Sequence, residues 1–438
     1  MCGGCMARVL VIGAYGLIGQ AIALRLLAEG HEVVGAGRDI AAARQRFPAL
    51  SWIACDLACD RAPEIWLGRL HGIDAVVHAA GVLQDGAGDD VRAVQVDGTG
   101  ALYAACERAG LRRVIHISAV GADADAGTAF MTTKAEADKS LKQRDLDWAI
   151  LRPALVIARP AYGGTALLRA LAAFPACIPL AARQEAEMQI VSVDDVAQSV
   201  AYLVGDGKTL TGEWDLAHPE IHDVAVIAKG FRGWLGLPSA TVLHMPGWLS
   251  SVAAMSGDLA GWFGWRNPLR RTTLRQLEAG VVGNPDSWIR DFPVAPLDLG
   301  QALMRHPSAV QDLWHARLFL LKPVIFIALS LFWIVTGLIT LGPGWETGLA
   351  LLKGAGIETG AEMLAVAGAL ADILLGVTVL FRRTAFWALV GMFAVSIGYL
   401  AAATLLMPVL WLDPLGPLVK VFPALVLAGV AAAVLPSR

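Results

Sequence analysis

The last third of this chain constrains it most. From Leu318 to Arg438 there are 11 charged residues in 121, against 62 in the first 317. Four apolar stretches fill the region: Leu318–Leu341, Ala361–Phe381, Thr384–Met407 and Pro417–Leu435. Each reaches or nearly reaches the ~20 residues a helix needs to cross ~30 Å of hydrocarbon. Because a helix satisfies its own backbone, the expectation is four transmembrane helices. The fourth differs from the others in carrying Lys420 near its start and Pro423 one turn on.

Charge orients these spans. Arg305 and Arg317 precede the first, Arg382 and Arg383 join the second to the third, and Arg438 follows the fourth, whereas the opposite loops carry only Lys353 and Lys420. The positive-inside rule places both termini in the cytoplasm, with the chain in a bacterial-type inner membrane. The cysteines fit a reducing compartment, since Cys2, Cys5, Cys55, Cys59, Cys106 and Cys177 show no disulfide-framework spacing. Cys2 and Cys5 form a C-x-x-C without a second ligand pair or a well-spaced His, so no metal site is expected. A net charge of -3 and no basic run set nucleic acid aside. No apolar signal segment precedes the first strand, and Met6 reads as an alternative start.

The first part reads as soluble and alternates strand with helix. An apolar run at Val9 to Ile12, a glycine turn, a helical pattern at Leu17, Ala21, Leu24 and Leu27, and a second apolar run at Val33 and Val34 make a strand-helix-strand unit. Further strands are expected at Trp52 to Cys55, Ala75 to His78, Arg113 to Ser118 and Trp148 to Leu151. The fold class is therefore an α/β Rossmann-type, doubly wound parallel sheet with a small substrate domain, followed by an all-α four-helix membrane domain. The expected division is 1–213, 214–314 and 315–438. Within the middle part, Leu243 to Trp265 is an apolar stretch broken by Pro and Gly. It reads either as a core or substrate-lid helix or as a surface resting on lipid headgroups through Trp248, Trp262 and Trp265.

Gly13, Gly16 and Gly19 form a G-x-x-G-x-x-G turn between strand and helix. The first glycine allows the tight turn, the second lets a pyrophosphate approach the backbone, and the third lets helix and strand pack closely. The helix N-terminus adds N–H groups and positive dipole. After the second strand, Arg38 precedes Asp39; an arginine suits a 2′-phosphate and an acid a 2′-hydroxyl, so NADP(H) is favoured over NAD(H). Asp56, at the end of the third strand, is placed for the adenine edge.

These segments resemble a known family. GAYGLIG, Cys55-Asp56-Leu57, Val77-His78-Ala79-Ala80-Gly81, His116-Ile117-Ser118, Phe130-x-x-x-Lys134, Leu151-Arg152-Pro153 and Val193-Asp194-Asp195-Val196-Ala197 follow one another as in extended or atypical short-chain dehydrogenases/reductases (SDRs). The resemblance is to the branch that includes the Rossmann-type accessory subunit of mitochondrial complex I, and covers about Ala7 to Ala302. The last third resembles DoxX-like four-helix membrane domains. The resemblance implies that Gly13, Tyr15, Gly16, Leu17, Ile18, Gly19, Arg38, Asp56 and Leu57 hold the cofactor. It places Ala79, Ala80 and Gly81 beside the nicotinamide ribose, Lys134 on the ribose hydroxyls, and Ser118 on the substrate oxygen. A membrane tether implies a lipophilic substrate, such as a quinone, isoprenoid or lipid intermediate, or a membrane partner protein.

One departure stands out. The family's Tyr-x-x-x-Lys sets a phenol one helical turn from an ammonium, whereas here the first position is Phe130, which cannot donate a proton. His116, Tyr162 and a water relayed through Ser118 are the available substitutes. The alternative is a catalytically silent nucleotide-binding module, structural or redox-sensing, of a membrane assembly. In the second span, Asp372 is an intramembrane carboxylate, costly enough there to suggest function, with an ion pair to Lys322 as the structural alternative.

Overall fold

The alternation of strands and helices gives a seven-stranded sheet. The computed structural model describes residues 6–86, 90–181, 186–205, 211–265 and 280–435. The Cys2/Cys5 pair and Arg438 lie outside them. Strands β1 (Arg8–Ile12), β2 (Glu32–Gly37), β3 (Ser51–Ala54), β4 (Ala75–His78), β5 (Arg113–Ile117) and β6 (Asp147–Pro153) appear where the apolar runs predict. Later in the chain come β7 (Leu155–Ile157), β8 (Cys177–Ala181), β9 (Glu187–Met188), β10 (Ile190–Ser192), β11 (Gly212–Leu216), β12 (His222–Asp223) and β13 (Thr241–Met245). The main sheet has the order β11-β6-β5-β4-β1-β2-β3, and every pairing is parallel. Its order reverses between β1 and β4, the switch point at which open α/β sheets bind ligands beyond the strand ends.

Both faces of this sheet are covered, which is why its strands read as unbroken apolar runs. Val9 and Val11 of β1 pack into one core with Ile22 and Leu26, while Leu10 and Ile12 point into the other core with Leu102 and Tyr103. The helices of this part are α1 (Leu17–Ala28), α2 (Ile40–Arg46), α3 (Pro63–Leu67), α4 (Thr99–Arg108, entered through a π-helical segment, Ala93–Gly98), α5 (Ala129–Lys142), α6 (Gly163–Ala172), α7 (Val193–Gly205), α8 (Val224–Trp234), α9 (Gly247–Trp262), α10 (Asp286–Asp291) and α11 (Leu299–Arg305). A further core joins α6, α8 and α11 to β7–β10 around Ile157, Leu168, Ile178, Phe231 and Leu303. The strand pairs β7/β10, β9/β12 and β8/β13 belong to this second layer.

The chain divides into two compact units, one of residues 1–258 with 267–316 and one of 259–266 with 317–438. In the second unit, the helices are the C-terminal part of α12 (Val310–Leu341), α13 (Trp345–Gly354), α14 (Ala361–Thr378), α15 (Ala385–Leu406) and α16 (Val421–Val434). Three of them, α12, α14 and α15, are long and apolar enough to cross a membrane. The segment expected as a fourth span holds the shorter apolar helix α16, 14 residues or ~21 Å among the described residues. Pro408, Pro414, Gly416 and Pro417 precede it, and proline in a helix interior removes an N–H and clashes with the preceding turn. Helix α13 also fills what the sequence suggests is a loop.

Within the first unit, Trp288 of α10 is fully buried and its Nε1 donates to Ser199 Oγ of α7 at 2.9 Å. It packs in the core that holds β1 and α1. Replacing Trp288 with Ala leaves a large cavity, so we expect a loss of about 3–5 kcal/mol. A denaturant titration of the full chain in detergent, followed by circular dichroism, reads this as an earlier transition of the first unit.

Candidate functional site

At the carboxyl ends of β1 and β4, glycines permit approaches that a side chain would block. Gly13 has φ +80°, and a Cβ there would lie 2.9 Å from the Ala80 backbone. At Gly19 a Cβ would lie 2.2 Å from the Gly13 carbonyl oxygen. Helix α1 therefore starts hard against the turn. Its N-cap, Gly16, offers no side-chain acceptor, so the first N–H groups, at Leu17 and Ile18, are left for an external anion. The start of α1 therefore has room and N–H groups for an anion.

The second strand's end is shaped by Tyr15. Its ring lies where a side chain on Gly37 would be, and its hydroxyl accepts the Arg38 N–H at 3.0 Å. Arg38 is exposed. The neighbouring Asp39 caps α2, its carboxylate accepting the Ala42 N–H at 3.1 Å. Asp56 turns back on its own loop, accepting the Ala58 N–H at 3.1 Å, and the Leu57 side chain is packed in the core.

Ala79, Ala80 and Gly81 follow β4 directly and lie beside both Gly13 and Lys134; a Cβ on Gly81 would be 3.6 Å from Lys134 Nζ. Lys134 is buried and donates to the Ile117 carbonyl at 2.7 Å. Burial lowers its pKa to about 8, with the Asp138 carboxylate acting in the opposite direction. The next residue, Ser118, is buried and donates to Asp138 Oδ2 at 3.0 Å. Asp138 Oδ2 also accepts from Arg152 Nη2 at 3.0 Å and Nε at 3.2 Å. Burial raises the Asp138 pKa against the pull of Arg152 and Ser118.

Asp138 is the neighbour that the motifs do not single out, whereas Arg152 lies within Leu151-Arg152-Pro153. The signal for Asp138 is periodicity: Phe130, Lys134 and Asp138 stand four residues apart on α5 and share one face. The substitutes for the missing phenol fare differently. His116 does point the same way as Ser118, but it is sealed in, 1% exposed, with ring centroids 5.1 Å from His78 and 6.0 Å from Tyr103. Its Nε2 is 3.5 Å from Asp138 Oδ1, and neither ring nitrogen makes a hydrogen bond among the described residues. Burial and the nearby Lys134 charge hold its pKa well below the usual histidine range. Tyr162 is exposed at the N-cap of α6. Asp372 receives the Tyr399 hydroxyl at 3.4 Å, while Lys322 donates to the Leu435 carbonyl.

Residues 13–206 match an NAD(P)H-binding family, and residues 330–429 match the DoxX-like family. The chain thus joins a Rossmann-fold domain similar to an NAD(P)H-binding family to a domain similar to the DoxX-like family. The fold of the first unit agrees. The Bordetella bronchiseptica enzyme WbmG, solved in complex with NAD, superposes with a TM-score of 0.52 at 16% identity, covering 69% of this chain and 94% of its own. The protein gox2253 gives 0.52 at 22% identity, covering 71% and 99%. Uncharacterized proteins of Mycobacterium tuberculosis and Mycobacterium bovis are 27% identical over 213 residues, which is 48% of this chain and 22% of each relative's length.

The buried ammonium sets a pH dependence. The folded first unit releases the Lys134 proton near pH 8 and the unfolded chain releases it near 10.5, so between these values the unfolded chain holds more protons. Stability against unfolding therefore gains a rising contribution from about pH 8 to 10.5. Lys134→Met removes that rise, as denaturant titrations of both proteins at pH 7.5, 8.5 and 9.5 will read.

Proposed function

We propose that the chain is a membrane-anchored, NADP(H)-dependent SDR-like oxidoreductase acting on a lipophilic carbonyl or unsaturated compound, such as a quinone, isoprenoid or lipid intermediate. The observation that carries this reading is the convergence of Ser118 and Lys134 with Ala79–Gly81 and the glycine turn at the switch point. That site belongs to a chain whose described residues include three helices long and apolar enough to cross a membrane.

In this reading Gly13, Gly16 and Gly19 leave room for pyrophosphate, and the Leu17, Ile18 and Gly19 N–H groups bind it. Tyr15, Asp56 and Leu57 border the adenosine half. Arg38 takes the 2′-phosphate, a role favoured because Asp39 is engaged as a helix cap. A bound nicotinamide supplies or accepts a hydride. Ala79, Ala80 and Gly81 wall its ribose, Lys134 holds the ribose hydroxyls, and Ser118 orients the substrate oxygen. Both termini lie on the cytoplasmic side. Support comes from α16, which runs back along α15 so that Leu435 meets Lys322, near the cytoplasmic start of the first span.

The second reading, a catalytically silent module of a membrane assembly, has an observation of its own. Phe130 lacks the phenol, and the Ser118 hydroxyl is already given to Asp138. Mass spectrometry of nucleotide co-purified in detergent, with assays of NADPH oxidation by quinones and lipid ketones, tests both. Arg38→Ala should weaken NADPH by roughly 10–100-fold, the value of a charge-assisted contact of about 1.5–3 kcal/mol, and leave NADH nearly unchanged; equal losses in a binding titration would remove Arg38 from cofactor choice. Phe130→Tyr restores the phenol one turn from Lys134. In an active site it should raise turnover by about 10²–10⁴-fold. In a silent one it should add no activity and, because position 130 is only half-buried, leave stability nearly unchanged.

A further inference from the structure

Helix α9 is built the wrong way round for water. Its buried positions are Ser250, Ala254, Gly257 and Gly261, all small, at helical spacing. Its exposed stripe is Trp248, Val252, Met255, Leu259 and Trp262, all large and apolar, and Trp262 is 88% exposed. Among its 16 residues the one charge is Asp258. A helix on a water-facing surface turns its apolar stripe inward.

The hydroxyls on this helix follow the same rule. Ser251 Oγ donates to the Gly247 carbonyl and Ser256 Oγ to the Ala253 carbonyl. The long apolar helices treat their hydroxyls alike: Thr336 donates to Phe332, Thr340 to Thr336, Thr378 to Leu374 and Thr404 to Leu400. Such back-bonding leaves little polar capacity directed at the surroundings, which hydrocarbon demands and water does not.

The end of α9 is continuous with the second unit. Residues 259–266 cluster with that unit. The Phe263 carbonyl accepts the Arg382 N–H at 3.0 Å, Phe263 and Phe381 rings meet at 5.0 Å, and Trp265 Nε1 donates to the Leu380 carbonyl. All these contacts are at the arginine-bearing turn between α14 and α15, where headgroups would lie. With 16 residues the helix is ~24 Å long, too short to cross ~30 Å of hydrocarbon. Tryptophan stands at each end, the residue enriched at membrane interfaces.

We propose that α9 is an interfacial membrane helix, lying in the bilayer's headgroup and upper acyl region with Trp248, Val252, Met255, Leu259 and Trp262 in lipid. The small-residue face, packed on protein, stands where a free interfacial helix would carry its polar face.

Site-directed spin labelling tests this in the full chain. Cys2, Cys5, Cys59 and Cys177 are replaced with Ser; Cys55 and Cys106 stay, since burial pushes both thiols up to about 12 and keeps them unreactive. Single labels go to Met255→Cys, with Val252→Cys as a second site, and to Leu24→Cys on α1, which is 52% exposed, as Met255 is. The proteins are reconstituted into nanodiscs of phosphatidylcholine and phosphatidylglycerol. The expected result is a gain of collisions with oxygen and a loss of collisions with a water-soluble nickel chelate at 255 and 252, relative to 24. Nickel collisions equal to those at 24 would overturn the proposal by placing the stripe in water. Loss of both kinds of collision would overturn it too, by showing that a second copy or another protein covers the stripe.

Discussion

The site depends on how little space separates Gly19 from the Gly13 carbonyl. A single methyl on Gly19 would sit 2.2 Å from that oxygen, so the turn and the first turn of α1 are in backbone contact. The contact brings a helix N-terminus, with its unpaired N–H groups and positive dipole, to the point where the strand order reverses. Gly13 makes the equivalent approach to Ala80, which ties the end of β4 to the same place. Both helix and strand edges then face one crevice.

A second constraint lies behind that crevice. Lys134 and Asp138 are both buried on one face of α5, and each is held by a different element. Lys134 is bonded to the β5 carbonyl of Ile117, while Asp138 is shared by Ser118 after β5 and by Arg152 of β6. Burying charge is costly unless its hydrogen bonds are made, and here they dock α5 in a fixed register on the sheet. The same bonds draw the Ser118 hydroxyl towards Asp138, so the residues that hold α5 also set which way the serine points.

The DoxX-like unit uses close backbone approach differently. A Cβ on Gly337 of α12 would meet the Ala369 carbonyl of α14 at 2.5 Å, and one on Gly376 would meet the Ser330 carbonyl at 2.8 Å. Lipid gives apolar helices no hydrophobic reason to associate, so small residues that allow intimate packing supply the attraction. This explains why α12 and α14 carry glycine within long apolar runs, where it would weaken a helix in water.

The sequence by itself determined the elements whose cause is local. Strands β1 to β6, the glycine turn and the three long apolar helices are legible because side-chain period, turn chemistry and run length are written in neighbouring residues. The Phe130/Lys134 spacing is legible for the same reason. Only the tertiary structure decided what depends on distant partners. Ser118 donates its hydroxyl hydrogen bond to Asp138, twenty residues on, and Asp39 becomes a helix cap beside the exposed Arg38. Trp288 reaches back 89 residues to Ser199. The fourth apolar stretch holds a shorter helix than its composition suggests, because prolines and a glycine stop it. In α9 composition alone cannot choose between core and surface, since the same apolar residues serve either; the choice falls to which face the small residues turn towards the protein.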